Sequence, residues 1–198
     1  PPIDRWAVQN DLFSLCVSGD EQVRNYLDFS DAYFEEDSYL ASVNVAHNLA
    51  SLYFRAFDEK FVEEIRSYTI NYFRKILSNL GWEPRKTDKH TDALLRSFAI
   101  SALGKMNDDS VTDKAIEKYK KFLKSPRSLS PDLIEPICSI AAWNGNSKTF
   151  TELKKLYTNS KTMEEKLRFL GAMCGFQDKK LLLKTLDFSQ TSEVRSQN

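Results

Sequence analysis

The sequence is poor in the residues from which catalytic and metal sites are commonly built. Its 198 residues include two histidines, His47 and His90, and three widely spaced cysteines, Cys16, Cys138 and Cys174. The zinc motif His-Glu-x-x-His, the nucleophile turn Gly-x-Ser-x-Gly and a glycine-rich phosphate loop are all absent. We therefore expect no catalytic residue, no metal ligand and no cofactor within this chain.

Turn residues, net charge and long apolar runs are also lacking. Glycine and proline number six each, fewer than an all-β fold would normally need. Lysine plus arginine equals aspartate plus glutamate at 28 each, so no net field draws the chain to nucleic acid or an anionic membrane. No apolar run approaches the roughly 20 residues of a membrane span. We expect no nucleic-acid or membrane partner. The odd cysteine count favours three buried thiols and a cytoplasmic location.

What the sequence does contain is a helical period of apolar residues along almost its whole length. It is clearest after residue 88, where the apolar positions recur at steps of three and four: Leu95, Phe98, Ala99, Ala102, Leu103 and Met106. We expect helices to begin near Asp4, Asp58 and either Asp109 or Ser110, because their side chains can accept hydrogen bonds from the free backbone N–H groups of a first helical turn. Gly19 is expected to end the first helix. The pattern predicts an all-α fold.

Polar breaks divide the second half into paired helices. They fall near residues 107, 145 and 177, a spacing of roughly 32 to 38 residues that is typical of helical repeats. This spacing predicts an α-solenoid of stacked antiparallel helix pairs, a HEAT- or armadillo-like superhelix. We expect one helical domain over residues 1–198, with N-terminal helices in 1–85 and helix-pair repeats in 86–198. The missing initial methionine suggests a fragment of a larger, multi-domain protein.

Short sequence words then suggest a family. The opening Asp4-Arg5-Trp6-Ala7-Val8-Gln9-Asn10-Asp11-Leu12-Phe13-Ser14-Leu15 resembles the start of the C-terminal helical domain of M1-family zinc aminopeptidases. Further matching words follow in order: Tyr26-Leu27, Leu94-Leu95-Arg96-Ser97, Ala102-Leu103-Gly104, Asn144-Gly145, Thr162-Met163-Glu164-Glu165-Lys166 and Glu193-Val194-Arg195-Ser196-Gln197-Asn198. The resemblance spans the chain and extends to archaeal members, including the tricorn-interacting aminopeptidases.

This resemblance implies a role without a catalytic site in the chain. Family members hold zinc in a separate catalytic domain, so the zinc and the catalytic residues are expected outside these 198 residues. The helical domain of such peptide-trimming metalloproteases closes over the active site and limits substrate length. The family's domain usually continues past the last matched word, which implies a truncated solenoid. The implied partners are the catalytic domain of the same polypeptide and peptide substrates, and exposed apolar surface predicts self-association of the fragment.

Four residues within the matched words are candidate contacts. Arg96 and Arg195 could bind a peptide carboxylate with two parallel hydrogen bonds, or could be structural arginines that pair with a neighbouring helix. Asn10 and Asp11 interrupt an otherwise apolar helix and could dock the catalytic domain or bridge backbone groups. A free-standing helical-repeat scaffold for protein–protein interaction is the alternative function, because the repeat spacing alone predicts no more than a binding surface.

Overall fold

A computed structural model describes residues 1–194, and every regular element in that range is helical. The ten α-helices of the described chain are α1 Pro2–Ser18, α2 Val23–Ser30, α3 Tyr39–Arg55, α4 Val62–Leu80, α5 His90–Lys105, α6 Asp109–Lys124, α7 Pro131–Trp143, α8 Ser147–Asn159, α9 Met163–Met173 and α10 Lys179–Ser189. Two single 3₁₀ turns, Asp31–Tyr33 and Pro126–Ser128, lie between helices. The predicted all-α class is confirmed.

The chain divides into two compact units, residues 1–102 and 103–198. In the first unit α1 packs on α2 and α3, and α3 packs on α4. In the second unit α6 packs on α7, α7 packs on α8 and α9, and α10 packs on α9. Packing of consecutive helices, with α7 also reaching α9, is the arrangement expected when helix pairs shield each other's apolar faces. The single-domain organisation predicted above remains a prediction.

Helix ends follow local chemistry, with small departures from the predicted caps. Gly19 has φ +85° and ends α1, because glycine adopts this left-handed conformation at no steric cost. Asp4 lies inside the first turn of α1, so its predicted capping role is wrong. The cap of α6 is Asp108, one residue before the predicted pair, and its carboxylate accepts a 3.0 Å bond from the Val111 amide.

The predicted polar breaks coincide with turns between helices. Asn107, at φ +57°, separates α5 from α6. Asn146 caps α8 through a reciprocal capping box with Thr149. Between α9 and α10, Asp178 caps α10 by accepting a hydrogen bond from the Lys180 amide. The positions of these breaks are therefore confirmed. No α-helix within residues 1–194 is long and apolar enough to cross a membrane.

Each unit has its own apolar core. In the first, Phe34 meets Tyr72 edge to face at 5.2 Å between ring centroids, and Phe73 meets Phe98 at the same distance. In the second, Tyr157 meets Phe188 edge to face at 5.2 Å. Cys16 and Cys138 are buried as predicted, but Cys174 is exposed. That part of the prediction is wrong because Cys174 lies just beyond α9 and lines an open groove between α9 and α10.

Candidate functional site

Arg96 lies at the junction between α4 and α5 and is fully enclosed. Its Nε donates a 3.0 Å hydrogen bond to the carbonyl of Gly81, and one terminal nitrogen donates a 3.1 Å bond to the carbonyl of Leu80. These carbonyls belong to the C-terminal end of α4, where backbone acceptors lack helical partners and the helix dipole favours a cation. The same terminal nitrogen also bonds to the Asp88 carboxylate. Such an enclosed guanidinium supports the structural alternative for Arg96.

Asp88 completes this junction. Its carboxylate accepts a 2.9 Å bond from the Arg85 amide and a 3.1 Å bond from the Arg85 guanidinium, in addition to the bond from Arg96. The hydrogen bond from the backbone amide of Arg85 lowers the pKa of Asp88 most, and the hydrogen bonds from the two guanidinium groups lower it further, to about 2. A carboxylate held in this way closes the loop between α4 and α5.

The lowered pKa predicts a specific acid sensitivity. Because folding lowers the pKa of Asp88 from 3.8 to about 2, its contribution to stability is complete above about pH 5 and is lost as the pH falls towards 2. We expect the free energy of unfolding of Asp88→Asn to fall less steeply with acid than that of the wild type in this window. Denaturant unfolding monitored by circular dichroism at several pH values measures this difference. Parallel curves for the two proteins would contradict the assignment.

The polar network of the first helix is centred on Gln9, which the sequence analysis did not single out. Gln9 is fully buried. Its Nε2 donates to the carbonyl of Trp6 at 3.1 Å and also bonds to Asn44. Its Oε1 accepts the Tyr26 hydroxyl at 3.0 Å and the Asn48 amide at 3.1 Å. This network ties α1 to α2 and α3.

The two candidate residues that follow Gln9, Asn10 and Asp11, differ from it in burial. Asn10 is half-buried and its carbonyl accepts a 2.8 Å bond from Ser14, whereas Asp11 is exposed. No hydrogen bond or ion pair among residues 1–194 joins either side chain to Arg96. Arg195, the fourth candidate, lies outside the described residues. The structure therefore does not bring these candidates together in one site.

The first unit contains a cleft of about 230 Å³. It lies between the segment after α2, the start of α3, the C-terminal half of α4 and the start of α5. Its aromatic walls are Tyr33, Phe34, Tyr39 and Tyr72. Its charged groups are Glu36, Asp37, Lys75, Lys89 and Asp92. We call this recess the tyrosine cleft.

Arg5 shapes one side of the tyrosine cleft. Its guanidinium donates two 2.6 Å hydrogen bonds to the Glu36 carboxylate, and its carbonyl accepts a 2.7 Å bond from the Tyr33 hydroxyl. The bond from Arg5 lowers the pKa of Glu36, whose side chain is almost enclosed. Arg5 follows Asp4 in the opening sequence word. Its place in that matched word was the signal in the sequence that could have pointed to Arg5 as a functional residue. Its partner 31 positions away could not be read from the sequence.

The described residues do not fit a zinc ion. Within residues 1–194 no three histidine, cysteine, aspartate or glutamate side chains are placed to hold a metal. His47 instead stacks on Phe98 at 4.2 Å between ring centroids, and its Nδ1 lies 2.8 Å from the Val43 carbonyl oxygen. His90 is the first residue of α5.

The geometry defines a helical domain whose polar side chains join helices and line a cleft. Comparison with known proteins places it more closely: the chain belongs to the ERAP1-like C-terminal domain family, whose model matches residues 1–198. The chain is 24% identical to Aminopeptidase M1-A of Oryza sativa subsp. japonica over 202 residues, covering 98% of the chain and 23% of that protein. It is 25% identical to Aminopeptidase M1 of Arabidopsis thaliana, covering 99% and 23%.

A yeast relative shows the same coverage. The chain is 24% identical to the Alanine/arginine aminopeptidase of Saccharomyces cerevisiae, again covering 98% of the chain and 23% of the relative. The chain thus spans about a quarter of the length of the curated relatives it matches. The predicted likeness to the C-terminal domain of M1 aminopeptidases is confirmed.

Proposed function

We propose that this chain is the non-catalytic lid and substrate-cavity domain of a zinc aminopeptidase that removes N-terminal residues from peptides. The observation that carries the proposal is the alignment of nearly the whole chain with one segment of several aminopeptidases. In this proposal, zinc and the hydrolytic groups belong to the catalytic domain of the same polypeptide. We also propose a cytoplasmic location and self-association of the free chain.

The first test is hydrolysis by the chain alone. We expect the purified chain to release no nitroaniline from aminoacyl-nitroanilides, with or without added zinc, because the groups that would hold the metal lie elsewhere in this proposal. The control is a mock purification from cells that lack the gene. Zinc-dependent activity above that control, copurifying with the folded chain, would refute the non-catalytic role.

The tyrosine cleft is the surface that we propose to contact the peptide end remote from cleavage. Lys89 reaches the cleft and forms no ion pair with another described residue, so its ammonium group is available to a carboxylate. Lys75, by contrast, already contacts Glu35 at 2.5 Å. The aromatic walls offer apolar surface for the last side chain of a peptide. In this arrangement Arg5 and Arg96 are positioning residues that hold the cleft's walls.

Binding of short peptides tests this contact. We expect titration with peptides that end in a free carboxylate and an apolar residue to shift the backbone amide NMR signals of residues lining the cleft. C-terminal amidation or Lys89→Ala should weaken binding about tenfold, because each removes one charged partner. Lys86→Ala, in the same exposed loop but not lining the cleft, is the matched control. Equal binding of free and amidated peptides would contradict carboxylate recognition.

The alternative function, a free-standing scaffold, predicts a different coding sequence upstream of Pro1. The coding sequence upstream of Pro1 is the discriminating observation. An upstream His-Glu-x-x-His in the same reading frame supports the aminopeptidase. A start codon directly before Pro1, with no such motif, supports the scaffold.

A further inference from the structure

Three of the five charged groups that line the tyrosine cleft are already bonded within the chain. The Arg5 guanidinium donates to the carboxylate of Glu36 at 2.6 Å and to that of Asp37 at 3.4 Å. On the opposite wall, the ammonium group of Lys75 contacts the Glu35 carboxylate at 2.5 Å. A ligand could use these three groups only in competition with the bonds that they already form.

The other two charged groups of the cleft, Lys89 and Asp92, stand at the start of α5. One carboxylate oxygen of Asp92, Oδ2, accepts a 2.8 Å hydrogen bond from the Lys89 backbone amide. Neither the ammonium group of Lys89 nor the carboxylate of Asp92 forms an ion pair with another described residue. The second oxygen of Asp92, a half-buried residue that lines the cleft, is therefore free to accept. The cleft thus offers a ligand one free cation and one free anion.

Aromatic side chains line the cleft beside these two charges. Phe34 is held edge to face against Tyr72, at 5.2 Å between ring centroids, and Tyr39 is half-buried and forms no hydrogen bond with another described residue. Aromatic surface accepts the methylene groups of a long side chain, and it attracts a guanidinium or ammonium group electrostatically. The walls therefore suit a side chain with an apolar stem and a cationic tip.

We propose that the tyrosine cleft selects peptides whose last residue is basic, with arginine preferred. The terminal carboxylate of the peptide pairs with Lys89, the methylenes of its last side chain lie against the aromatic walls, and the guanidinium donates to Asp92. The cleft volume of about 230 Å³ is below the roughly 300 to 1,000 Å³ of sites for whole small ligands, and so suits one terminal residue. This inference rests on the proposed function, because it assigns a side-chain preference to the peptide contact proposed above.

The balance of free charges favours a basic last residue over an apolar or an acidic one. A peptide that ends in an apolar residue pairs with Lys89 but leaves Asp92 without a partner. A peptide that ends in aspartate or glutamate brings two carboxylates to one free cation, and its side chain is repelled by Asp92. Arginine satisfies both free charges, and its planar guanidinium can donate several hydrogen bonds while it stacks on a ring.

Peptides that differ only in their last residue test the preference. We expect a peptide that ends in arginine to bind the full chain about fivefold more tightly than the same peptide ending in citrulline, which keeps the shape without the charge. Amidation of the terminal carboxylate should weaken binding of both peptides about tenfold, because it removes the partner of Lys89. Titrations followed by backbone amide NMR signals measure these dissociation constants. Equal binding of the arginine and citrulline peptides would overturn the inference.

Asp92→Asn tests whether this carboxylate is the group that recognises the basic tip. Asparagine keeps the size of the side chain and an oxygen that can accept the Lys89 amide, so the start of α5 is retained. We expect the variant to bind the arginine and citrulline peptides equally, with its affinity for the citrulline peptide within about twofold of wild type. Asp58→Asn, in the turn between α3 and α4, makes the same change in net charge outside the cleft and should keep the preference. Circular dichroism and thermal melting establish that both variants are folded.

The outcomes separate this inference from the peptide contact on which it rests. Lys89→Ala should weaken binding of both peptides about tenfold and leave their fivefold ratio unchanged, because the two charges act on different parts of the ligand. If amidation weakens binding but the arginine and citrulline peptides bind alike, the contact stands and the basic preference is wrong. A preference retained in Asp92→Asn would also contradict the inference. Binding of neither peptide would overturn both the preference and the contact.

Discussion

Arg96→Met is expected to lower the free energy of unfolding by about 4 kcal/mol. The change removes the bonds from the enclosed guanidinium to the carbonyls of Leu80 and Gly81, and hydrogen bonds from charged groups contribute about 1.5 to 3 kcal/mol each. Methionine retains the side chain out to the position of Nε, so the loss reports the missing guanidinium group. Urea unfolding followed by circular dichroism measures the effect.

The neighbouring arginine provides the matched control. Arg85 also binds Asp88, but its side chain is 55% exposed. We therefore expect Arg85→Met to cost less than about 1 kcal/mol, as is usual for an ion pair open to water. A loss below about 1 kcal/mol for Arg96→Met as well would show that the guanidinium does not hold the α4–α5 junction.

Gln9→Met is expected to lower the free energy of unfolding by about 3 kcal/mol. The change deprives the Tyr26 hydroxyl and the Asn48 amide of a shared acceptor in a site closed to water. Each buried donor left without a partner costs about 1 to 3 kcal/mol. Burial already raises the pKa of Tyr26 to about 12, because the enclosed site disfavours the charged phenolate.

Asp11 tests whether the contribution of a polar residue of α1 to stability depends on its burial or on its position in the opening sequence word. Asp11→Ala on the exposed side of α1 should change stability by less than about 0.5 kcal/mol. Thermal and urea unfolding of the two variants side by side give the comparison. A larger loss for Asp11→Ala than for Gln9→Met would place the polar role of α1 on the residue that the sequence analysis named.

Much of the helical pattern was predictable because its causes are local. Gly19 ends α1 through its own backbone freedom, and the repeat of Leu95, Phe98 and Leu103 determines which side of α5 is apolar. Caps were predicted less exactly. Three consecutive residues can cap α6 by their side-chain chemistry: Asp108, Asp109 and Ser110. Which of them accepts the hydrogen bond from the Val111 amide depends on the residue at which the helix starts.

The candidate contacts were harder to predict because enclosure depends on remote residues. Gln9, Asn10 and Asp11 are consecutive polar residues, and nothing local distinguishes the one that is buried. Gln9 is enclosed because α3 brings Asn48, 39 positions away, against it. Arg96 was a candidate because it belongs to a matched sequence word. In the structure it joins α5 to the end of α4 through the carbonyls of Leu80 and Gly81, which the sequence did not indicate.

The sequence by itself determined the helical class, the polar breaks and the relation to aminopeptidases, since apolar period, capping chemistry and sequence words are properties of neighbouring residues. Tertiary structure alone decided that Arg5 holds Glu36 and Tyr33 at the tyrosine cleft, that Cys174 faces outward and that leucines of α9 and α10 remain exposed. The physical reason is that burial is set by which helices pack together. That choice depends on contacts between side chains far apart in the chain.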